Sequence, residues 1–268
     1  MKKRLVTHLA LVLLALGHAS VAAAAMDDAR AIVERANVAS YYAGDDGRSA
    51  ARMLIEDGNG NRQQRQFTLL RKDVSDGGDQ RYLVVFSRPA DIRGTVFRVE
   101  KHVGADDDRW LYLPALDLVK RIAAGDKRTS FVGSHFFYED ISGRGLDEDS
   151  HRLVETTDEH YIIESTPKAP AEVAFARYRT WIDRESFLPM KTEYQRQSGE
   201  VYRRMEVTRV ETIDGYPTGT EVRMSDLDSG GYTITQFRFS QYDVGLPDDI
   251  FSERSLRNPP RRWLRRSE

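Results

Sequence analysis

The chain has no cysteine in its 268 residues. That excludes disulfides, thiolate metal sites, cysteine nucleophiles and a lipid-bearing N-terminal cysteine. Histidine is scarce. Only His102, His135, His151 and His160 lie beyond the first 25 residues, and none has a second metal ligand at close spacing. No H-E-x-x-H occurs, no glycine loop is built to cradle phosphate, and Gly133-Ser134-His135 lacks the G-x-S-x-G elbow. His135, close to Glu139 and Asp140, is the best candidate for metal or proton chemistry; the plainer reading is a structural loop histidine. Carboxylates are many but scattered. The net charge of −2 gives no global basic footprint, so nucleic acid is not an expected partner. No catalytic residue, metal or cofactor is expected. Past the N-terminus no apolar run is long enough to span a bilayer.

What is present begins with an export leader. Lys2, Lys3 and Arg4 precede the apolar stretch Leu9 to Gly17, and an alanine-rich segment with A-x-A-like cleavage choices follows to Ala25. The division expected is a removed signal peptide at 1–25, one domain at 26–256 and a basic tail at 257–268. In that tail Arg257, Arg261, Arg262, Arg265 and Arg266 surround Trp263 and Leu264. Arginine beside tryptophan suits an anionic membrane surface; a solvated end after Pro259-Pro260 is the blander expectation.

Met26 to Tyr42 predicts one amphipathic helix, with Asp27 and Asp28 at its start. Everything after it reads as short strands divided by turn residues. Asp57-Gly58-Asn59-Gly60 predicts a hairpin between Arg48 and Arg71. Further strands follow at Arg81 to Ser87, Thr95 to Lys101, Arg109 to Leu113 and Asp117 to Ile122. After a polar interval come His151 to Thr156, His160 to Ser165, Phe175 to Asp183, Lys191 to Gln197, Glu200 to Glu211, Thr218 to Ser225 and Tyr232 to Ser240. So many closely spaced strands predict an antiparallel meander curled toward a barrel. Asp106, Asp107 and Asp108 read as a solvated hairpin tip, since no spaced second set of ligands follows.

The segment 109–140 carries the most information. Trp110, Tyr112 to Leu116, Lys120 to Ile122, Asp126 to Arg128, Ser130, Phe131, Gly133, Ser134, Phe136 and Tyr138 to Asp140 match one extended signature. FSRPADIRGTVFRV precedes it, and WIDRESFLPMKTEY and LPDDIFSERSL follow. On these residues the chain resembles the LolA-like outer-membrane lipoprotein-sorting proteins, in the branch found beside RND/MMPL-type exporters. The resemblance implies a mainly β (α+β) fold. A strongly curved antiparallel sheet would form an incomplete β-barrel, covered by an N-terminal helix and a loop or short-helix lid.

The same resemblance implies a periplasmic, non-enzymatic, monomeric carrier in a Gram-negative bacterium. It would shelter the acyl part of a lipid or lipoprotein between inner and outer membranes, touch the membrane transiently, and work with an RND/MMPL-type exporter. Trp110, Tyr112, Leu113, Phe131, Phe136, Phe137, Tyr138 and Trp181 are the expected cavity or lid residues. Arg121, Lys127 and Arg128 are the expected contacts to a head group or partner. Two alternatives stand beside it: a cargo-free adaptor docking on such an exporter, and, more weakly, an enzyme on a lipid or cell-wall substrate. From the residues alone, aromatics at strand spacing are more often packed core than ligand lining.

Overall fold

The computed structural model describes residues 28–75 and 77–264. The expected leader at 1–25 and the last four residues of the basic tail lie outside them. Helix α1 is Ala29–Tyr41, one residue past Asp28, whose carboxylate accepts from the Arg30 amide at 2.9 Å. Its buried stripe, Ile32 and Ala36, recurs at one helical turn.

Thirteen strands follow among the described residues: β1 Asp46–Glu56, β2 Arg62–Asp73, β3 Gln80–Arg88, β4 Val96–Lys101, β5 Asp108–Leu113, β6 Leu118–Ile122, β7 Asp149–Thr156, β8 His160–Pro167, β9 Arg177–Asp183, β10 Pro189–Gln195, β11 Val201–Ile213, β12 Tyr216–Asp226 and β13 Tyr232–Tyr242. They form one antiparallel sheet in the order β6-β5-β4-β3-β2-β1-β13-β12-β11-β10-β9-β8-β7. Each strand pairs with its chain neighbours, and β1 pairs with β13. The exception is β6 to β7: the chain leaves one sheet edge at Ile122 and returns at the other at Asp149. The sheet is therefore an open barrel, as expected, and its seam falls where residues 123–148 run.

Strand alternation gives the sheet two faces. One row of register partners runs Leu153, Ile163, Thr180, Thr192, Met205, Met224, Thr233, Ile55. Those side chains share one face, called inner here. At one end of it α1 packs Ile32 and Ala36 on Tyr161, Ile163, Ile182 and Phe187. At the other end Met53, Ile55, Phe67, Tyr82, Phe86 and Phe97 enclose Phe131 and Tyr138 from the seam segment.

The outer face is covered over β2 to β6. Leu70, Leu83, Val85 and Val96 meet Leu246, Ile250, Phe251 and Leu256, and Trp110, Tyr112, Val119, Trp263 and Leu264 pack against this set. Two short helices carry part of the cover, α3 Arg254–Arg257 and α4 Arg261–Leu264. The Arg48 guanidinium donates to the Trp263 carbonyl at 2.7 Å. Residues 261–264 are thus docked on the sheet, where the sequence favoured a solvated end. The cause is apolar: Trp263 and Leu264 supply surface that the exposed arginines mask in the sequence pattern. Both faces of β3 are buried, so Tyr82 to Phe86 reads as an unbroken apolar run.

Phe251→Ala is expected to destabilise the chain by about 3–5 kcal/mol, as a buried core aromatic does, when followed by urea denaturation. A loss under 1 kcal/mol would mean that the C-terminal cover is not part of the core.

Candidate functional site

The seam segment folds onto the inner face. Phe131 is fully buried, with its ring 5.4–6.4 Å from those of Phe67, Phe86, Phe97 and Tyr138. Residues Tyr138–Ser142 form a short helix, α2, which lies between α1 and α3 in the chain. Gly143 ends it at φ +78, and a Cβ there would stand 2.7 Å from the Tyr41 ring. Only glycine gives both that backbone and that close approach to α1.

Charge fastens what the aromatics place. Glu139 has a side chain only 4% exposed. Its carboxylate lies 2.7 Å from Arg128, 3.3 Å from Arg144 and 3.5 Å from Lys127. Lys127 and Arg144 also reach Glu148 at 2.9 and 2.7 Å, and Arg144 reaches Asp149 at 2.8 Å. From β11, Arg203 bonds the Asp140 carboxylate and the His135 carbonyl. Four cations thus face four carboxylates, which is how a low-dielectric site tolerates them. Aromatic rings fill the gaps. Arg203 lies 4.0 Å over Phe137, Arg128 4.8 Å over Phe175, and both approach Tyr194. Burial pushes the Tyr194 hydroxyl up to about 12, so it stays protonated.

Further ties hold the segment from the β4–β5 side of the open sheet, opposite Arg203 of β11. Lys101 donates to the Ser142 carbonyl at 2.8 Å, and Asp107 accepts from Ser142 Oγ at 2.8 Å and from Arg109 at 2.6 Å. Asp107 is therefore a buried anchor, where the sequence suggested a solvated tip. Asp108 sits with Glu100 and His102, one donor atom of each within 4.8 Å of the others. Glu100 on the facing strand and His102 just past its end precede the aspartates, which is why forward spacing missed them. Arg98 and Arg121 already pair with the two carboxylates.

The expected lining residues divide between the faces. Leu113, Phe131, Phe136 and Tyr138 join the inner cluster. Phe137 joins the charged aromatic group. Trp110 and Tyr112 face the other way, into the outer cluster, because they alternate with the inward Leu111 and Leu113. Trp181 alternates with the inward Thr180 and Ile182 and carries Lys191 at 3.5 Å on its ring. Of the expected head-group contacts, Arg121 is exposed and paired with Asp108, whereas Lys127 is buried and Arg128 half-buried in the Glu139 network. His135 does not meet Glu139 or Asp140 through its ring. Its Nδ1 and amide both lie against Thr233 Oγ1, at 2.9 and 3.0 Å, and burial pushes the ring below the usual histidine range.

Sequence reasoning missed an apolar band. Leu69, Val207, Val222 and Phe237 are inward-facing residues of β2, β11, β12 and β13 and are only half-buried, unlike Met53 or Met224 in neighbouring positions. Leu69, Phe237 and Phe136 pack on the rim of the inner cluster. The alternation was legible, but not the incomplete cover. A separate cleft of about 450 Å³ opens beside α1, between Val38, Ala39 and Phe187, with Glu34, Arg35 and Glu185 around it.

A sequence-family model whose description reads "uncharacterized protein" matches residues 78–258. The crystal structure of a DUF1329 family protein from Desulfovibrio piger is 33% identical, with a TM-score of 0.78, covering 85% of this chain and 97% of that one. A putative outer membrane lipoprotein-sorting protein domain from Vibrio parahaemolyticus is 24% identical, with a TM-score of 0.76, over 85% of this chain and 98% of its own. A LolA superfamily protein from Nitrosomonas europaea is 20% identical, with a TM-score of 0.65, over 84% and 98%. The last two show likeness of fold. No curated protein matches the sequence.

Two outcomes follow from the charge network. Glu139→Gln leaves three buried cations short of a carboxylate, and is expected to cost about 3–5 kcal/mol in urea denaturation. Burial pushes the Glu148 carboxyl up, but the Lys127 hydrogen bond and the Arg144 charge outweigh it and hold it below its usual range. Its contribution is therefore complete above the unfolded carboxylate value and lost as pH falls through the lower, folded one. Thermal unfolding of Glu148→Gln should show a shallower acid loss below about pH 4.3 than the parent; parallel curves would remove Glu148 from the acid response.

Proposed function

The chain belongs to the DUF1329 family, and on that footing, with the fold it shares with a LolA superfamily protein, we propose that it is a periplasmic, non-enzymatic carrier of a lipid or lipid-modified protein. The acyl portion lies along the half-buried inner band, Leu69, Val207, Val222 and Phe237, beneath Phe136 of the seam segment. That band carries the reading: apolar side chains on the inner face of an open sheet, next to a cover and incompletely filled. Each methylene sheltered there contributes roughly 0.8 kcal/mol, so an acyl chain needs no covalent attachment to be held. Passage runs between inner and outer membranes, with an RND/MMPL-type exporter as donor, and the leader-like sequence expected at residues 1–25 supports that compartment. Among the described residues no helix is long and apolar enough to cross a membrane.

One observation favours a second reading. The seam segment is fastened by an ion pair from β11, by a lysine hydrogen bond from β4 and by ion pairs of its own, as a rigid scaffold would be. A cargo-free adaptor that docks on the exporter fits that rigidity. Mass spectrometry of lipids extracted from protein purified without detergent separates the two. A stoichiometric lipid supports the carrier; a lipid-free protein supports the adaptor.

The carrier reading also separates two neighbouring aromatics. Phe136→Asp is expected to abolish uptake of a fluorescent fatty acid with little change in unfolding. Phe131→Ala is expected to cost about 3–5 kcal/mol of stability, since its ring is fully enclosed. Equal loss of both properties in Phe136→Asp would make it ordinary core.

A further inference from the structure

The charged aromatic group has more donors than acceptors. Arg203 has a side chain only 4% exposed. Its Nη2 reaches Asp140 and the His135 carbonyl, but Nε and Nη1 are buried without an acceptor. Arg128, 11% exposed, gives Nη1 to Glu139 at 2.7 Å and leaves Nη2 buried without one. The two guanidinium groups flank the same rings. Arg203 and Arg128 lie 4.0 and 5.1 Å from the Phe137 centroid, and 5.1 and 5.9 Å from that of Tyr194. Stacking on a ring satisfies the flat face of a guanidinium, but its N–H groups lie in its plane and still require oxygen. A buried donor without an acceptor is costly, and a charged one more so.

We propose that Arg203 and Arg128 form a subsite for an oxyanion, a carboxylate or phosphate monoester, that heads an apolar chain, with the Phe137 ring as its cover. The inference rests on the carrier reading and adds the chemical class of the cargo. Phe137 is only half-buried, so the pair lies one side chain from the surface. Val207 belongs to the same strand as Arg203 and faces the same way, two register positions beyond Met205. An anionic group at Arg203 would therefore set its chain running toward the half-buried band. Planar, fork-like donors suit two oxygens of one anion, whereas a neutral alcohol offers one acceptor and no charge.

The test is calorimetric titration of the purified chain with laurate, dodecyl phosphate and dodecanol, each below its micelle or solubility limit. Wild type is expected to bind the two anions about tenfold or more tightly than dodecanol, the scale of a hydrogen bond to a charged group. Arg203→Lys keeps a cation for Asp140 and so preserves the fold, but lacks the two free N–H groups. It should lose the anion preference and keep the dodecanol affinity. Phe137→Ala, which removes the cover and leaves both arginines, should bind the anions at least as well as wild type. Equal affinity for all three probes, or a preference that survives Arg203→Lys, overturns the subsite while leaving the carrier intact. If no twelve-carbon probe binds, the carrier reading fails by itself. Titration with inorganic phosphate and acetate then decides the subsite: binding lost in Arg203→Lys sustains it, and no binding in wild type overturns it.

Discussion

Glu139 is where the architecture closes. Pairing β1 with β13 fixes the first and last strands of the described residues side by side, so among those residues the opening in the strand order is the seam between β6 and β7. The chain must cross that opening, and it does so inside the sheet rather than around it. A crossing segment placed in a curved interior carries its backbone and its charges with it. Three cations accompany residues 123–148 inward, and one nearly inaccessible carboxylate lies within 3.5 Å of all three, accepting hydrogen bonds from Arg128 and Arg144. Taking such charges out of water costs several kcal/mol each, so the arrangement holds only because Glu148 and Asp149 complete the balance. Removing one member leaves the others uncompensated. The position of Phe131, Phe136 and Tyr138 against the sheet therefore depends on an electrostatic condition met several residues away.

The two faces of the sheet are finished by different means. The outer face over β2 to β6 is closed by ordinary apolar packing, with Phe251 and Leu256 seated on Leu83 and Val96. The inner face is finished in three zones. Apolar contact with α1 closes one end and apolar contact with Phe131 closes the other. Between them lies a mixed zone, where arginines stack on Phe137, Phe175 and Tyr194. A sheet finished by packing alone would leave no adaptable surface. The half-buried band adjoins the mixed zone because ion pairs fix direction and distance and do not fill space as side chains in a core do.

Much of this is legible in the sequence. Turn residues such as Asp57 to Gly60 and Asp228 to Gly231 mark nearly every boundary, so the thirteen strands the sequence predicts match the thirteen among the described residues. The open barrel followed from the resemblance carried by residues 109–140. What was not readable is partnership across distance. Trp110, Tyr112 and Trp181 look like lining in sequence, but strand parity sends them outward. Lys127 and Arg128 read in sequence as contacts to a head group or partner; only the fold brings Glu139, Glu148 and Arg144 around them. Arg203 gave no signal, since one arginine in the basic run Arg203-Arg204 is indistinguishable from its neighbour until the register turns one inward. The half-buried band was hidden for the same reason: a strand's pattern states which side is apolar, not how completely that side is covered.

The zones also fix where an acyl chain is cheapest to place. Entry beneath α2 would separate Glu139 from its cations, and breaking a buried ion pair costs about 3–5 kcal/mol. At about 0.8 kcal/mol per methylene, some five methylenes would be spent on that alone. Entry along Leu69, Val207, Val222 and Phe237 breaks no ion pair, because those residues are already short of neighbours. Displacing the Phe137 ring is an intermediate case. It removes stacking from Arg128 and Arg203 but leaves their carboxylate bonds in place. Lid motion in the sense of lifting residues 123–148 as a unit is thus the most expensive route, and rotation of single aromatic side chains over a fixed backbone the least. The rigid charge network and an accommodating apolar trough are then complementary: the first holds the frame against which the second fills and empties.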